Sequence, residues 1–325
     1  MKATAIAPSN IAFIKYWGKK DEKLMLPVNG SISMNLSNLL TSSTVEFNSE
    51  YKKDLIIINN KTDDKEVNRV IKQLDLIRKK ASINFKAKVV SNNNFPDGTG
   101  LSSSASGFAA LTLAASYAAG LSLSEKDLSV LTRQGSGYAC RSIPDGFVEW
   151  FVGNTSNKSY ALSLYPPNYW AIVDVVAIVS QVKKDISSSA GQKLATTSPF
   201  FPVRLAHINK KINLLKKFLK EKNFTELGQL IENEAFELHA IMLTSNPSLI
   251  YWQQETIMLM KLVKKWRSDG LEVYFTLNTG QDIHLIVEEK NVGELVRRLK
   301  NINEVKKIIT NRPAIGARLI DKHLF

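Results

Sequence analysis

Apolar and polar side chains alternate over residues 2–7, the period-two pattern of a half-buried strand. Ile11 to Trp17 is apolar except for one embedded lysine, Lys15. Ser31–Leu36, Ser43–Phe47 and Leu55–Ile58 alternate in the same way and predict strands. The period changes at Asp64–Lys80, where Val67, Val70, Ile71, Leu74 and Ile77 fall on one face of a helix. Phe85–Val90 predicts another strand. Helices follow over about Leu101–Gly120 and Ser124–Gln134, the second opened by an N-cap pattern of Ser124 and Asp127.

Strands return at Phe147–Val152, Ala161–Leu164 and Ala171–Ser180. Helical periodicity then covers Arg204–Lys220, Phe224–His239 and Leu249–Trp266, the last with Asn246-Pro247-Ser248 as its expected cap. Val273–Leu277 and Ile283–Val287 read as strands around a polar turn, and Val292–Leu299 as a helix. Strands concentrated early and helices late predict an α+β fold. Ser187-Ser188-Ser189-Ala190-Gly191 interrupts the pattern, so a division near residue 180 is expected, into lobes of residues 1–180 and 181–325.

Phe95 to Gly107 reads F-P-D-G-T-G-L-S-S-S-A-S-G, with an apolar helical run directly after it. Glycines allow close backbone approach, hydroxyls add donors, and the helix start presents free N–H groups. Gly98, Gly100, Ser102, Ser103, Ser104 and Ser106 therefore form a candidate phosphate loop. The alternative is a serine-rich turn before a helix. The loop lacks the Gly-Lys-Ser/Thr ending of a Walker loop and the G-x-G-x-x-G dinucleotide spacing. Asp97 is unfavourable beside a bound phosphate unless it points away or faces a metal.

Three further segments carry polar groups in apolar settings. Ser9–Lys19 holds Asn10, Lys15, Tyr16 and Lys19; the lysines either snorkel from a strand end or converge on an anion. Gly135–Gly146 places Arg141 after a small-residue turn, where a guanidinium can grip a carboxylate or phosphate bidentately. Phe275–Asp282 is a strand–turn–strand segment with Asn278 and Asp282 as its polar candidates; taken by itself it reads as a simple hairpin turn. His207, His239, His284 and His323 have no metal-ligand spacing, and no metal is expected. Cys140 reads as a small core residue, and Ser102–Ser106 carries no G-x-S-x-G elbow.

Composition narrows the classes. The 325 residues carry 43 Lys+Arg against 30 Asp+Glu, a net charge of +13. That fits nucleic acid, anionic small molecules or solvated helix faces. The lysines are dispersed and no nucleic-acid module is visible, so an anionic small-molecule ligand is expected, without nucleic acid. The single cysteine excludes an internal disulfide and fits the cytoplasm. The N-terminus lacks a signal peptide's apolar core, and no run reaches the ~18 residues of a membrane span. A homodimer is compatible with the sequence.

Together these segments resemble the diphosphomevalonate decarboxylases, within the superfamily of galactokinase, homoserine, mevalonate and phosphomevalonate kinases. N-I-A-F-I-K-Y-W-G-K (10–19), N-F-P-D-G-T-G-L-S-S-S-A-S-G-F-A-A-L (94–111), G-S-G-Y-A-C-R-S-I-P-D-G-F-V-E-W (135–150), E-L-H-A-I-M-L-T-S-N-P (237–247) and Y-F-T-L-N-T-G (274–280) follow the family's order. The resemblance implies a two-lobed fold with a cleft between lobes. It also implies ATP-driven phosphorylation of the 3-hydroxyl of 5-diphosphomevalonate, then loss of phosphate and CO2. It assigns catalytic roles to Lys15, Arg141 and the position of Asn278. Asn10, Tyr16, Lys19, Ser136, Gly137 and Ser188 are the implied substrate-binding residues.

The sequence departs from that pattern at two chemically important places. Asn278 stands where the family has a catalytic aspartate, and an amide is a poor general base. Ser189 stands where the family's S-S-R-x-G segment has an arginine that contacts the diphosphate tail. Tyr138 also replaces a serine and would narrow the pocket. These changes predict a substrate that arrives already phosphorylated on its 3-hydroxyl. The chain is thus similar to the mevalonate 3,5-bisphosphate decarboxylases of an archaeal variant of the pathway, which form isopentenyl phosphate. On that reading no cofactor is required. The alternative is an ATP- and Mg2+-dependent decarboxylase of diphosphomevalonate or phosphomevalonate. A mevalonate-type kinase or a non-catalytic phosphate- or nucleic-acid-binding protein ranks lower.

Overall fold

The computed structural model of the protein describes residues 1–96, 100–180, 182 and 186–325. Its strands are β1 (Lys2–Ile14), β2 (Lys19–Asp21), β3 (Leu26–Pro27), β4 (Ser31–Asn48), β5 (Leu55–Ile58), β6 (Lys86–Asn93), β7 (Phe147–Trp150), β8 (Ala161–Tyr165), β9 (Ile172–Ile178), β10 (Tyr274–Thr276), β11 (Ile283–Glu288), β12 (Lys307–Asn311) and β13 (Arg318–Ile320). Its helices are α1 (Asp64–Ala81), α2 (Ser103–Ala118), α3 (Glu125–Gly135), α4 (Ser188–Gly191), α5 (Phe201–Glu221), α6 (Phe224–Leu243), α7 (Gln254–Ser268) and α8 (Val292–Lys300). Among the described residues no helix is long and apolar enough to cross a membrane.

The first sheet runs β13-β1-β4-β6-β5, with β7 beside the start of β4 and β8 beside β7. The stretches predicted separately at 2–7 and 11–17 are largely one strand, because β1 continues through an irregularity at Pro8 to Asn10. Proline cannot donate to the ladder, so pairing slips there and resumes. The strands predicted at 31–36 and 43–47 likewise join as β4. Helix α2 covers this sheet and is apolar almost all round, with Ala105, Ala109, Ala110, Ala114 and Ala115 fully buried. Such a helix must be enclosed, and α1 and α3 enclose it.

The second sheet, β10-β11-β9-β12, is antiparallel throughout. In β9, Val173, Val175 and Ala177 face α7 and α8, while Ile172, Val176 and Ile178 join a core shared with β1, β4, α5 and α6. Side chains alternate across a strand, so burial of both faces explains why Ile172–Ile178 is apolar at nearly every position. β9, at Ile172–Ile178, already belongs to this second sheet. The chain then returns, since β13 pairs with β1. The helix expected from Leu249 starts at Gln254, because Gln253 and Thr256 form its capping box.

Helices α5 and α6 meet through ions. Arg204 Nη1 and Nη2 donate to the two carboxylate oxygens of Glu234 at 2.9 Å, and both side chains are fully buried. Lys211 donates to Glu234 Oε1 at 3.0 Å, and Glu237 also accepts from Arg204 at 2.6 Å. Burial alone would raise the proton affinity of Glu234. The charge and hydrogen bonds of Arg204, with Lys211 behind, instead hold it well below the usual carboxylate range.

Removing one partner of such a pair strands a buried charge, so Arg204→Met should cost about 3–5 kcal/mol in urea unfolding. A depressed carboxylate stabilises the fold fully above its unfolded value, about 4.3, and that contribution is lost as pH falls further. Unfolding free energy measured from pH 7 downwards should therefore drop in acid, with a shallower slope for the Arg204→Met/Glu234→Gln double variant.

Candidate active site

The site begins where β1 ends. Lys15 leaves the sheet with its main chain held on both sides. Its N–H donates to Glu234 Oε2 at 3.1 Å, and its carbonyl accepts from Arg204 Nη2 at 3.0 Å and Asn29 Nδ2 at 2.9 Å. The residue as a whole is only 2% exposed. It donates to the Ala12 carbonyl at 2.7 Å and to Asn278 Oδ1 at 3.5 Å. Burial, opposed by Glu234 and reinforced by Arg141 and Arg204, brings its pKa down to about 7.

Asn278 sits in the turn after β10. Its Nδ2 donates to Ser102 Oγ at 3.1 Å, and its carbonyl oxygen lies 3.1 Å from His239 Nε2. The His239 ring stacks on Trp252 at 4.7 Å, and burial drives its pKa down to about 3. It is a neutral structural histidine, a role that spacing rules aimed at metals could not find.

The candidate phosphate loop abuts this turn. Gly100 has φ +110°, and a Cβ there would lie 2.8 Å from Gly280 Cα. Two backbones thus pass at a distance only glycine permits. Helix α2 starts at Ser103 rather than 101 because Ser102 adopts a left-handed conformation (φ 58°). The Ser102 side chain does not cap the helix. Asp97, Gly98 and Thr99 lie outside the described residues.

A cavity of about 760 Å³ joins these elements. Lys15, Tyr16, Lys19, Gly100, Ser102, Ser103, Ser104, Ser136, Gly137, Ser188 and Asn278 all line it. Three expected residues do not. Ser106 is buried and bonds Thr41 Oγ1 at 2.6 Å, facing the sheet. Asn10 and Arg141 lie behind the wall. Arg141 donates to Asn10 Oδ1 at 3.0 Å and Ser31 Oγ at 2.5 Å, beneath the Tyr138 ring at 5.9 Å. In this structure Tyr138 takes the part of the wall in front of Arg141 and Asn10. Tyr138 accepts from Gln192 Nε2 at 2.5 Å and packs edge-on against Tyr16 at 5.1 Å.

The sequence reading missed Arg69 and Lys193, which stand on the wall with Lys19. Arg69 reaches the site from α1, whose charged residues read as an ordinary solvated face. Lys193 follows Ser189 by one helical turn, a spacing that does place two residues on one side. Burial and the neighbouring Lys193 and Arg69 charges lower the pKa of Lys19, while Glu22 opposes them. Among the described residues no cluster of three or more His, Cys, Asp or Glu could hold a metal. Cys140 is buried, its thiol pushed up to about 12 by burial, as expected of a core residue.

Comparison with known proteins bears on this geometry. Residues 7–161 match the diphosphomevalonate decarboxylase-like N-terminal domain, and 174–317 the mevalonate 5-diphosphate decarboxylase C-terminal domain. The diphosphomevalonate decarboxylase of Candida albicans is 33% identical over 315 residues, spanning 91% of this chain and 87% of the relative. The mevalonate diphosphate decarboxylase of Staphylococcus aureus superposes with TM-score 0.94 at 36% identity, over 98% of both chains. The structure of MDDEF in complex with MVAPP, AMPPCP and magnesium gives TM-score 0.93 at 36% identity, over 99% of both chains. A relative of the same fold thus holds an ATP analogue and magnesium, which overturns the expectation that no cofactor is required. With both lobes matched along nearly their whole length, the chain belongs to the diphosphomevalonate decarboxylase family, carboxy-lyases of the mevalonate pathway.

Proposed function

We propose that this protein is an ATP- and Mg2+-dependent decarboxylase of 5-diphosphomevalonate, forming isopentenyl diphosphate. This replaces the 3,5-bisphosphate substrate and the isopentenyl phosphate product expected from the sequence. The carrying observation is the group of cations Lys19, Arg69 and Lys193 on one cavity wall. Lys193 lies one turn beyond Ser189, so the positive charge absent at 189 is present nearby. Three cations suit a two-phosphate tail.

Their present partners are easily exchanged. Lys193 pairs with Glu22 at 3.0 Å, and Arg69 with Glu66 at 2.9 Å, all four side chains being at least partly exposed. Exposed pairs of this kind contribute only about 0–1 kcal/mol. A diphosphate, with more charge and more acceptor oxygens, displaces the carboxylates.

The part of the cavity beside Arg69, whose guanidinium lies 4.7 Å from the Phe108 ring, suits a nucleotide. Ile58, Val70, Val89, Phe108 and Leu111 form an apolar slot with Asn59, Ser91 and Asn93 as polar contacts. Such a slot accepts a flat heteroaromatic ring. Ser102, Ser103 and Ser104 then lie between the ring and Lys15, where a phosphate chain runs. Among the described residues no group of three or more His, Cys, Asp or Glu could hold a metal, which agrees with a metal that arrives on the nucleotide, where it offsets phosphate charge. Lys15 and Asn278 border the reacting carbon. Arg141 acts from behind Tyr138, its charge favouring a carboxylate at that end.

The direct test supplies 5-diphosphomevalonate with ATP and Mg2+ and follows CO2, ADP and isopentenyl diphosphate. Product formed solely from mevalonate 3,5-bisphosphate without ATP would refute the proposal. Lys193→Ala should raise KM for 5-diphosphomevalonate about tenfold or more, since a charge-assisted hydrogen bond contributes about 1.5–3 kcal/mol. The 5-monophosphate should be affected less. Gly100→Ala forces a side chain into a left-handed backbone against Gly280, so KM for ATP should rise and Tm should fall.

A further inference from the structure

Phosphorylation of a tertiary hydroxyl requires a group that takes its proton, and the residues at the reacting end limit the choice. Asn278 is an amide and cannot accept a proton as a carboxylate does. Among the described residues, the carboxylates on the cavity wall are Glu22, Asp63 and Glu66. Glu22 pairs with Lys193, Glu66 with Arg69, and Asp63 caps α1 by accepting from Lys65 and Glu66 N–H. Each belongs to another part of the wall. His239 is off the wall and spends Nε2 on the Asn278 carbonyl.

Resting on the ATP-dependent reading above, we propose that Lys15, with its amine neutral, is the proton acceptor for the substrate 3-hydroxyl, and that Asn278 orients it. Lys15 lines the cavity, and its Nζ has two protein partners among the described residues, the Ala12 carbonyl and Asn278 Oδ1. A hydroxyl beside Asn278 therefore lies within reach of the amine.

The charges around Lys15 favour this state. Arg141 faces it from the Gly137–Ser142 segment and Arg204 from α5; Asp174 on β9 and Glu234 on α6 act against them. Glu234 is already committed to Arg204, Lys211 and the Lys15 main-chain N–H, and none of its oxygens bonds Lys15 Nζ. His239, also on α6, is neutral. A buried lysine with this surrounding titrates near pH 7, so a large neutral fraction is available.

The step balances. The Lys15 lone pair takes the hydroxyl proton, the oxygen bonds the terminal phosphorus of the nucleoside triphosphate, and the bond from that phosphorus to the bridging oxygen breaks to release the nucleoside diphosphate. Lys15, now an ammonium, faces the new 3-phosphate and favours its departure, in which the C3–O bond breaks and its electron pair leaves with the phosphate. The electrons of the C–COO⁻ bond then form the alkene as CO2 leaves. One residue serves first as base and then as electrostatic partner.

The test follows ADP release from the whole enzyme with 5-diphosphomevalonate, ATP and Mg2+ between pH 5 and 9. For the wild type, kcat/KM should fall tenfold per unit as pH drops below about 7, because protonation removes the acceptor. Asn278→Asp supplies a carboxylate and should shift that limb down by at least one unit. Lys15→Arg keeps the charge but cannot deprotonate, so ADP release should fall about 10²–10⁴-fold. Lys15→Arg/Asn278→Asp should regain much of it. Melting curves identify a misfolded Lys15→Arg, in which case the Asn278→Asp pH limb decides. ADP release by Lys15→Arg within tenfold of wild type, or a limb unmoved in Asn278→Asp, overturns the assignment of Lys15 alone. No ADP release by the wild type overturns both this and the ATP-dependent reading.

Discussion

The buried Arg204–Glu234 pair is the constraint on which the rest of the site depends. It joins α5 to α6 and closes on both sides of the Lys15 main chain. A lysine at a strand end would ordinarily extend to water. Here its backbone is fixed by two charged hydrogen bonds, and its side chain turns inward to Ala12 and Asn278. Burying charges is expensive unless every partner is in place. The same pair that spans the helices therefore fixes the position of the central lysine, whose pKa is brought down chiefly by burial.

The second lobe completes the site through close backbone approach. Gly100 and Gly280 let the loop before α2 lie against the turn after β10, bringing Ser102 within 3.1 Å of Asn278. His239 fixes the other side of that turn and is itself fixed by Trp252. The cavity is thus built from a strand end, a helix start and a turn, all anchored on buried packing. Its exposed cations, by contrast, are held in weak pairs that a ligand can displace.

Two losses that seemed to point to one conclusion in the sequence separate in space. Lys193, one turn from Ser189, stands on the same wall as Lys19 and Arg69. Among the described residues no carboxylate on the cavity wall takes the place of the one absent at Asn278, and the amine of Lys15 lies beside its side chain. Reading substitutions position by position treats a residue as replaced only by its successor at that position. A site replaces charge by volume, and any side chain that reaches the volume serves.

The amino-acid sequence by itself determined the α+β class, most helices, the glycine–serine loop and the family. Those follow from local periodicity and from contiguous motifs, which need no knowledge of distant contacts. The joining of the strand segments into β1 and β4 was hidden because a register slip at Pro8–Asn10 interrupts alternation without ending the strand. Only the tertiary structure decided that Arg141 lies behind Tyr138, that Ser106 faces the sheet, and that Arg69 and Lys193 face the cavity. It also decided that Lys15 is buried between cations rather than extended to water. Burial and charge environment are sums over residues far apart in the chain, from Arg141 to Arg204 and Glu234, and no local pattern encodes them.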